Sequence, residues 1–273
     1  MSKQPDVDET AVHELQQWLY EDLPAIAPAP ERQLAMRQAL LGRVGLSLAE
    51  HLGVLTVRLK DGVWKSVAAG IRYKLLWQGV AGNSVLIEFA PGAALPAHRH
   101  NWLEEGIVLS GDLAMGELKL GVGDYHLSPV ASRHHRIMSQ LGALAFLRGT
   151  SLGHKSAVLK ELLGGLLPMP GLAPSTVYAA DTAQWQVLAT GVQQKIVYAD
   201  AVYTSRFYLM EPEAVLPPEI QPIATEYLVV KGEVFLGDSL LRAGEYQLVP
   251  AGHRLGEVYT DVGATLFVRG KTP

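Results

Sequence analysis

The chain has 273 residues, 48% of them hydrophobic and 18% charged, with a formal net charge of -4 and no cysteine. That balance supplies apolar surface for two ordinary domains and argues against a general nucleic-acid-binding face. Disulfides, thiolate nucleophiles and Cys-based zinc sites are excluded, so any metal must be held by His, carboxylate or neutral oxygen ligands.

Residues 1–10 are polar and acidic, without the basic start and apolar stretch of a secretory signal. No uncharged apolar run approaches the roughly 20 residues needed to cross a bilayer. The expected location is the cytoplasm, with neither membrane nor nucleic acid as a partner. Residues 11–19 place Val12, Leu15 and Leu19 on one face and predict an amphipathic helix. Pro24, Pro28 and Pro30 then require an extended segment over residues 23–30. Residues 31–41 predict a second helix with Gly42 just past its end, and Ser47 with Glu50 makes a capping-box pattern for one more short turn. From about residue 53 helical periodicity is absent. Residues 84–89, 106–109, 113–120, 124–127 and 143–147 are rich in branched and aromatic side chains and predict short strands, most of them separated by Gly or Pro. Such spacing argues a sandwich or barrel.

The pattern then returns. At an offset of 121 residues, 61–149 lies over 182–270 without a gap, and about 24 of 89 aligned positions are identical. Trp64 meets Trp185, Gly70 meets Gly191, Gly111 meets Gly232 and Pro129 meets Pro250. The identities cluster at Gly, Pro and alternating apolar positions, so one all-β unit has been duplicated. The expected division is an N-terminal helical segment over 1–50, a first unit over 51–152 and a second over 153–273, with residues 151–174 as a connector.

His98, His100 and Glu104 share even parity, so in an extended segment all three side chains leave one face. His-x-His is the closest spacing that lets two imidazoles on a strand converge on one ion. Glu104 can add an anionic oxygen, and His134 is the candidate fourth ligand. Three imidazoles and a carboxylate suit one divalent ion: zinc, iron, manganese, nickel or copper. Singly, a strand His is more often a surface or core residue; four at such spacing favour a site. His126 and His135 are off this pattern, and His135 has the opposite parity to His134. In the second copy His98 becomes Glu219, His100 becomes Gln221, Glu104 becomes Thr225 and His134 becomes Leu255. That copy is expected to be metal-free, retained for packing, for pairing with the first, or for a ligand of its own.

The segment from Gly92 to Gly111 resembles the first cupin motif, G-x5-H-x-H-x3-E-x6-G, at every specified position. Residues 123–134 resemble the second motif, G-x5-P-x-G-x2-H, with Ala131 where Gly usually stands. The resemblance implies two tandem cupin barrels of the jelly-roll, or double-stranded β-helix, type with the ion inside the first. Residues 61–76, 91–100 and 104–111 further resemble the cupin domain of the ChrR anti-sigma factors, and residues 23–34 resemble the Pro-rich hinge and following helix of such proteins. That resemblance implies zinc as the metal, a sigma factor as a partner and a regulatory response to an oxidant or small molecule. The N-terminal zinc domain of that family needs His and Cys ligands, which about 45 residues with His13 alone and no Cys cannot supply. Either the N-terminal helices bind a sigma factor without metal, or this chain has kept the sensor and lost the sigma grip, its helices then capping a barrel end or exchanging between subunits. A homodimer is expected. The alternative is a non-haem metal-dependent cupin dioxygenase or isomerase acting on a small organic substrate, with Glu105, Tyr125 and Arg148 near the site. Their matches Glu226, Tyr246 and Arg269 persist in the second copy, which argues that these three are structural.

Overall fold

The computed structural model describes residues 28–153 and 184–272, together with Thr10, His13, Glu14 and Gln17, which are helical. The rest of the predicted helix over 11–19, most of the extended segment over 23–30 and most of the connector lie outside the described residues. The chain divides into two units, Met1–Ala49 and Glu50–Pro273. In the first, Pro30–Glu50 is one continuous helix, which corrects the expected stop at Gly42. A glycine within a helix costs only about 1 kcal/mol relative to Ala, no proline follows within the helix, and the helix formers Leu40, Leu41 and Arg43 flank Gly42 while Leu46, Leu48 and Ala49 follow Gly45. No helix among the described residues is long and apolar enough to cross a membrane.

The second unit holds both repeats, and each builds the same pair of sheets. In the first repeat the large sheet runs in the order Tyr125–Ser128, Glu104–Gly111, Ala143–Thr150, Asn83–Phe89, Ile71–Trp77, Trp64–Ala68, all antiparallel. The small sheet joins Ala94–Leu95, Ile137–Met138, Leu113–Met115 and Leu118–Leu120. The last two correct the single strand expected over 113–120: Met115 pairs with Leu118 across a two-residue turn led by Gly116, whose φ is 65°. In the second repeat Thr225–Leu236 serves both sheets as one long strand. Its large sheet gains an edge strand, Leu55–Val57, which lies ahead of the first repeat in sequence but pairs with Tyr246–Val249. Arg58 anchors that strand on Glu245 at 3.0 Å.

Strand periodicity explains three cores. In Asn83–Phe89, Ile87 and Phe89 point into the first barrel with Val108, Leu113 and Met115, while Leu86 points away from it. Leu86, Ile107, Tyr125 and Phe146 meet Phe207, Leu228, Tyr246 and Phe267 in a core shared between the two barrels. The third core fills the second barrel with Val229, Val234, Leu241 and Leu266. A strand covered on both faces needs no polar side, which is why Asn83–Phe89 is buried almost throughout.

Candidate metal centre

His98 lies on the short strand His98–Arg99, which pairs with Arg133–His134 so that His98 faces His134 in register. The backbone then turns, with the His100 N–H donating to the Ser132 carbonyl at 3.0 Å and the Ala131 N–H donating to the His100 carbonyl at 3.0 Å. The next strand begins at Glu104. The three residues of the first motif thus meet through a strand, a turn and a second strand rather than along one extended segment. The His98 and His100 rings are 5.1 Å apart, and His100 Nδ1 is 3.7 Å from Glu104 Oε1. The His134 side chain lies outside the described residues. Among the described residues, no three His, Asp or Glu side chains are gathered closely enough to hold an ion.

The donor set nevertheless has the chemistry of a ligand set. His98 Nδ1 donates to the Pro96 carbonyl at 3.1 Å, which puts the ring proton there and makes Nε2 the nitrogen with the lone pair. Burial, reinforced by His98 and His126, pushes the His100 imidazolium down to about 2, so this ring is neutral at physiological pH, as a ligand must be. Glu104 is buried beside it.

His126, off the motif spacing, belongs to the same place. It is buried on Tyr125–Ser128, and with His98 and Glu104 it lines a cavity of about 240 Å³ whose other walls include Ile87, Phe89, Leu113 and Met115. Burial holds its imidazolium down to about 4. Its cross-strand neighbour is Gly106, where a Cβ would stand 1.9 Å from the His126 ring. The sequence signal was a paired change: the equivalents of Gly106 and His126 are Tyr227 and Gln247, again cross-strand neighbours. His135 is exposed, its ring against Gly116.

The second repeat keeps the backbone and replaces the donors. Glu219 faces Leu255 in register, as His98 faces His134. Where His100 and Glu104 stand, Thr225 Oγ1 donates to Gln221 Oε1 at 2.8 Å, a neutral pair. Glu219 is exposed and Leu255 buried.

Comparisons with known proteins bear on the fold and on the first repeat. Residues 53–152 match the model of the ChrR cupin-like domain. Anti-sigma-E factor ChrR of Cereibacter sphaeroides is 29% identical over 107 residues, which cover 39% of this chain and 46% of that protein. Among solved structures, a putative dioxygenase from Nostoc punctiforme superposes with a TM-score of 0.60 at 17% identity, covering 79% of this chain and 81% of that one. A variant of Bacillus subtilis oxalate decarboxylase superposes with a TM-score of 0.55 at 17% identity, covering 80% and 76%. At such identity the structures speak for the fold. The chain has the fold of two tandem cupins preceded by a helical segment, and its first repeat resembles the cupin domain of ChrR.

Proposed function

We propose that the first repeat binds one divalent ion through His98, His100, Glu104 and His134, and that the chain is a regulatory protein whose metal-loaded cupin responds to a small molecule or oxidant. The observation that carries this is that His98 and Glu104 line an apolar cavity, with the buried His100 ring 3.7 Å from Glu104 and His134 paired in register with His98, inside the segment that matches the ChrR cupin-like domain. Zinc fits the donors and the resemblance; iron, manganese, nickel and copper fit the donors as well. A bound ion would supply a Lewis-acid centre facing that cavity. The chain's own contribution is to fix the His98 tautomer, keep His100 neutral and exclude water with Ile87, Phe89, Leu113 and Met115. A sigma factor is the protein partner of this reading, the cytoplasm its location and a homodimer its assembly.

A second reading is a metal-dependent cupin dioxygenase or isomerase. It is favoured by the cavity beside His98 and Glu104 and by the likeness of about four-fifths of the chain to a putative dioxygenase and to oxalate decarboxylase.

The test is metal analysis of protein purified without added metal, beside the His134→Ala variant. About one ion per chain in the wild type and loss in the variant is expected; a metal-free wild type sinks the site. Co-expression with tagged extracytoplasmic-function sigma factors should then recover a complex. Failure there, with oxygen uptake by iron- or manganese-loaded protein on diketones, flavonols or thiol acids, would replace the regulator with the enzyme.

A further inference from the structure

The second repeat has lost the imidazoles but not its cavity. About 320 Å³ remains inside it, on the order of ten water molecules' share of liquid volume. A scaffold that merely packed would be expected to fill such space with apolar side chains. Here the change runs the other way. Arg206, Tyr208 and Tyr227 line the cavity where the first repeat has Val85, Ile87 and Gly106 at the equivalent positions. Gln221 joins them, and Leu216, Leu255 and Val258 form an aliphatic wall.

Placing polar groups in a barrel interior costs free energy unless each finds a partner. Two of these keep one donor atom each without a partner among the described residues. Gln221 is 4% exposed, and its amide is oriented by Thr225, whose hydroxyl holds Oε1. Its Nε2 is buried without a hydrogen-bond partner among the described residues. Arg206 is half-buried and engaged twice, Nη2 donating to the Lys271 carbonyl at 2.9 Å and its side chain hydrogen-bonded to Tyr208, while its buried Nε has no partner among the described residues. The unmet groups are donors, and one belongs to a cation. At the rim, Glu219 and Lys271 are both exposed and of opposite sign.

We infer that the second repeat binds a small organic acid, its carboxylate received by Arg206 and Gln221 and its hydrocarbon part laid on Leu216, Leu255 and Val258. The site is distinct from the metal centre and does not depend on it. Arg206 selects the charge, and the cavity limits the size to a short aliphatic chain or a single ring.

Isothermal titration calorimetry on the full chain with hexanoate and phenylacetate, against hexylamine and hexan-1-ol, tests this. At least one carboxylate should bind with measurable heat and raise Tm, while amine and alcohol do not. Arg206→Met should weaken binding about tenfold or more, the loss of a charge-assisted hydrogen bond. His98→Ala should leave it unchanged. Near-UV circular dichroism checks that Arg206→Met folds. If it does not, Leu255→Trp, which fills the cavity from its aliphatic side, should abolish binding instead. Silence with both carboxylates, equal binding of the amine, full binding by a folded Arg206→Met or by Leu255→Trp, or loss in His98→Ala would overturn the proposal.

Discussion

Glu105 of the first repeat forms its ion pair with Arg269 of the second, at 3.3 Å, although Arg148 is its cross-strand neighbour in its own sheet. Arg148 in turn pairs with Glu226 at 3.3 Å, and Glu226 is the cross-strand neighbour of Arg269. Tyr125 donates to Glu105 at 2.8 Å and Tyr246 to Glu226 at 2.9 Å. Ser84 donates to Glu226, and Arg269 donates to Ser205, the equivalent of Ser84. Each repeat thus hands its guanidinium to the other across a shared core, which is why the same Glu, Tyr and Arg persist in both copies. All four charges are buried. Removing one partner strands the other, at a cost of about 3–5 kcal/mol. Glu105→Gln and Glu226→Gln should each destabilise by that order in urea unfolding. The two repeats should also unfold together in the wild type and separate into two transitions in the double variant. A loss below about 1 kcal/mol for either single variant would show that the pairs do not couple the barrels.

Ala131 and Glu213 hold left-handed backbone, with φ of 68° and 65°, and each has a glycine at the equivalent position of the other repeat: Gly252 at 79° and Gly92 at 78°. A left-handed non-glycine residue costs about 1–2 kcal/mol, offset in part by the lower chain entropy it brings to the unfolded state. Ala131→Gly and Glu213→Gly are expected to raise stability by up to about 1 kcal/mol each, and Gly252→Ala to lower it. Thermal unfolding of the three variants checks the signs. Ala131→Gly matters to the site as well, because the Ala131 N–H holds the His100 carbonyl; its metal content should match the wild type.

What the sequence revealed was whatever repeats or keeps fixed spacing. The duplication and the strands around Ile87 and Val108 rest on periodicity that one chain carries by itself, and His98, His100 and Glu104 are marked by a fixed spacing. The cross-strand meeting of Leu55–Val57 with Tyr246–Val249 has no local signature, since it joins residues nearly 200 apart in sequence. Gly42 misled because its rule is statistical: a glycine ends a helix only where the chain beyond it leaves helical space. His126 was missed because its role depends on an empty neighbouring position, Gly106, and not on a distance along the chain. The paired replacement by Tyr227 and Gln247 held that information. Its meaning needed the register.

Glu245 gives the acid limb of stability a specific source. Burial pushes its carboxyl up, but the Arg242 N–H, the Arg58 guanidinium and the Leu59 N–H together outweigh that and hold it below the ordinary value of 4.5. A depressed carboxylate contributes stability that is present above the unfolded value and lost as pH falls through the folded one. Glu245→Gln should therefore weaken the protein at pH 7 and flatten its stability profile below about pH 4.5. Denaturant midpoints measured from pH 7 down to pH 3 would read this. An acid limb equally steep in the variant would assign the effect elsewhere.

Gly106 and His126 provide the sharpest test of how the first cavity is built. A methyl group at Gly106 would stand 1.9 Å from the His126 ring, so one of the two must move. Gly106→Ala is expected to cost about 1–3 kcal/mol by overpacking. It should also displace the ring from the wall it shares with His98 and Glu104. Shortening the partner relieves the clash, so the double variant Gly106→Ala with His126→Ala should be more stable than the sum of the two single effects. The coupling should be roughly 0.5–3 kcal/mol, as for residues in contact. His126→Ala alone should leave the ion bound if His98, His100, Glu104 and His134 suffice, whereas Gly106→Ala should lower metal content only through the displaced ring. Additive single effects in the stability cycle would mean that His126 does not depend on the empty position at Gly106. Loss of metal in His126→Ala alone would place this histidine among the ligands and reduce the need for His134.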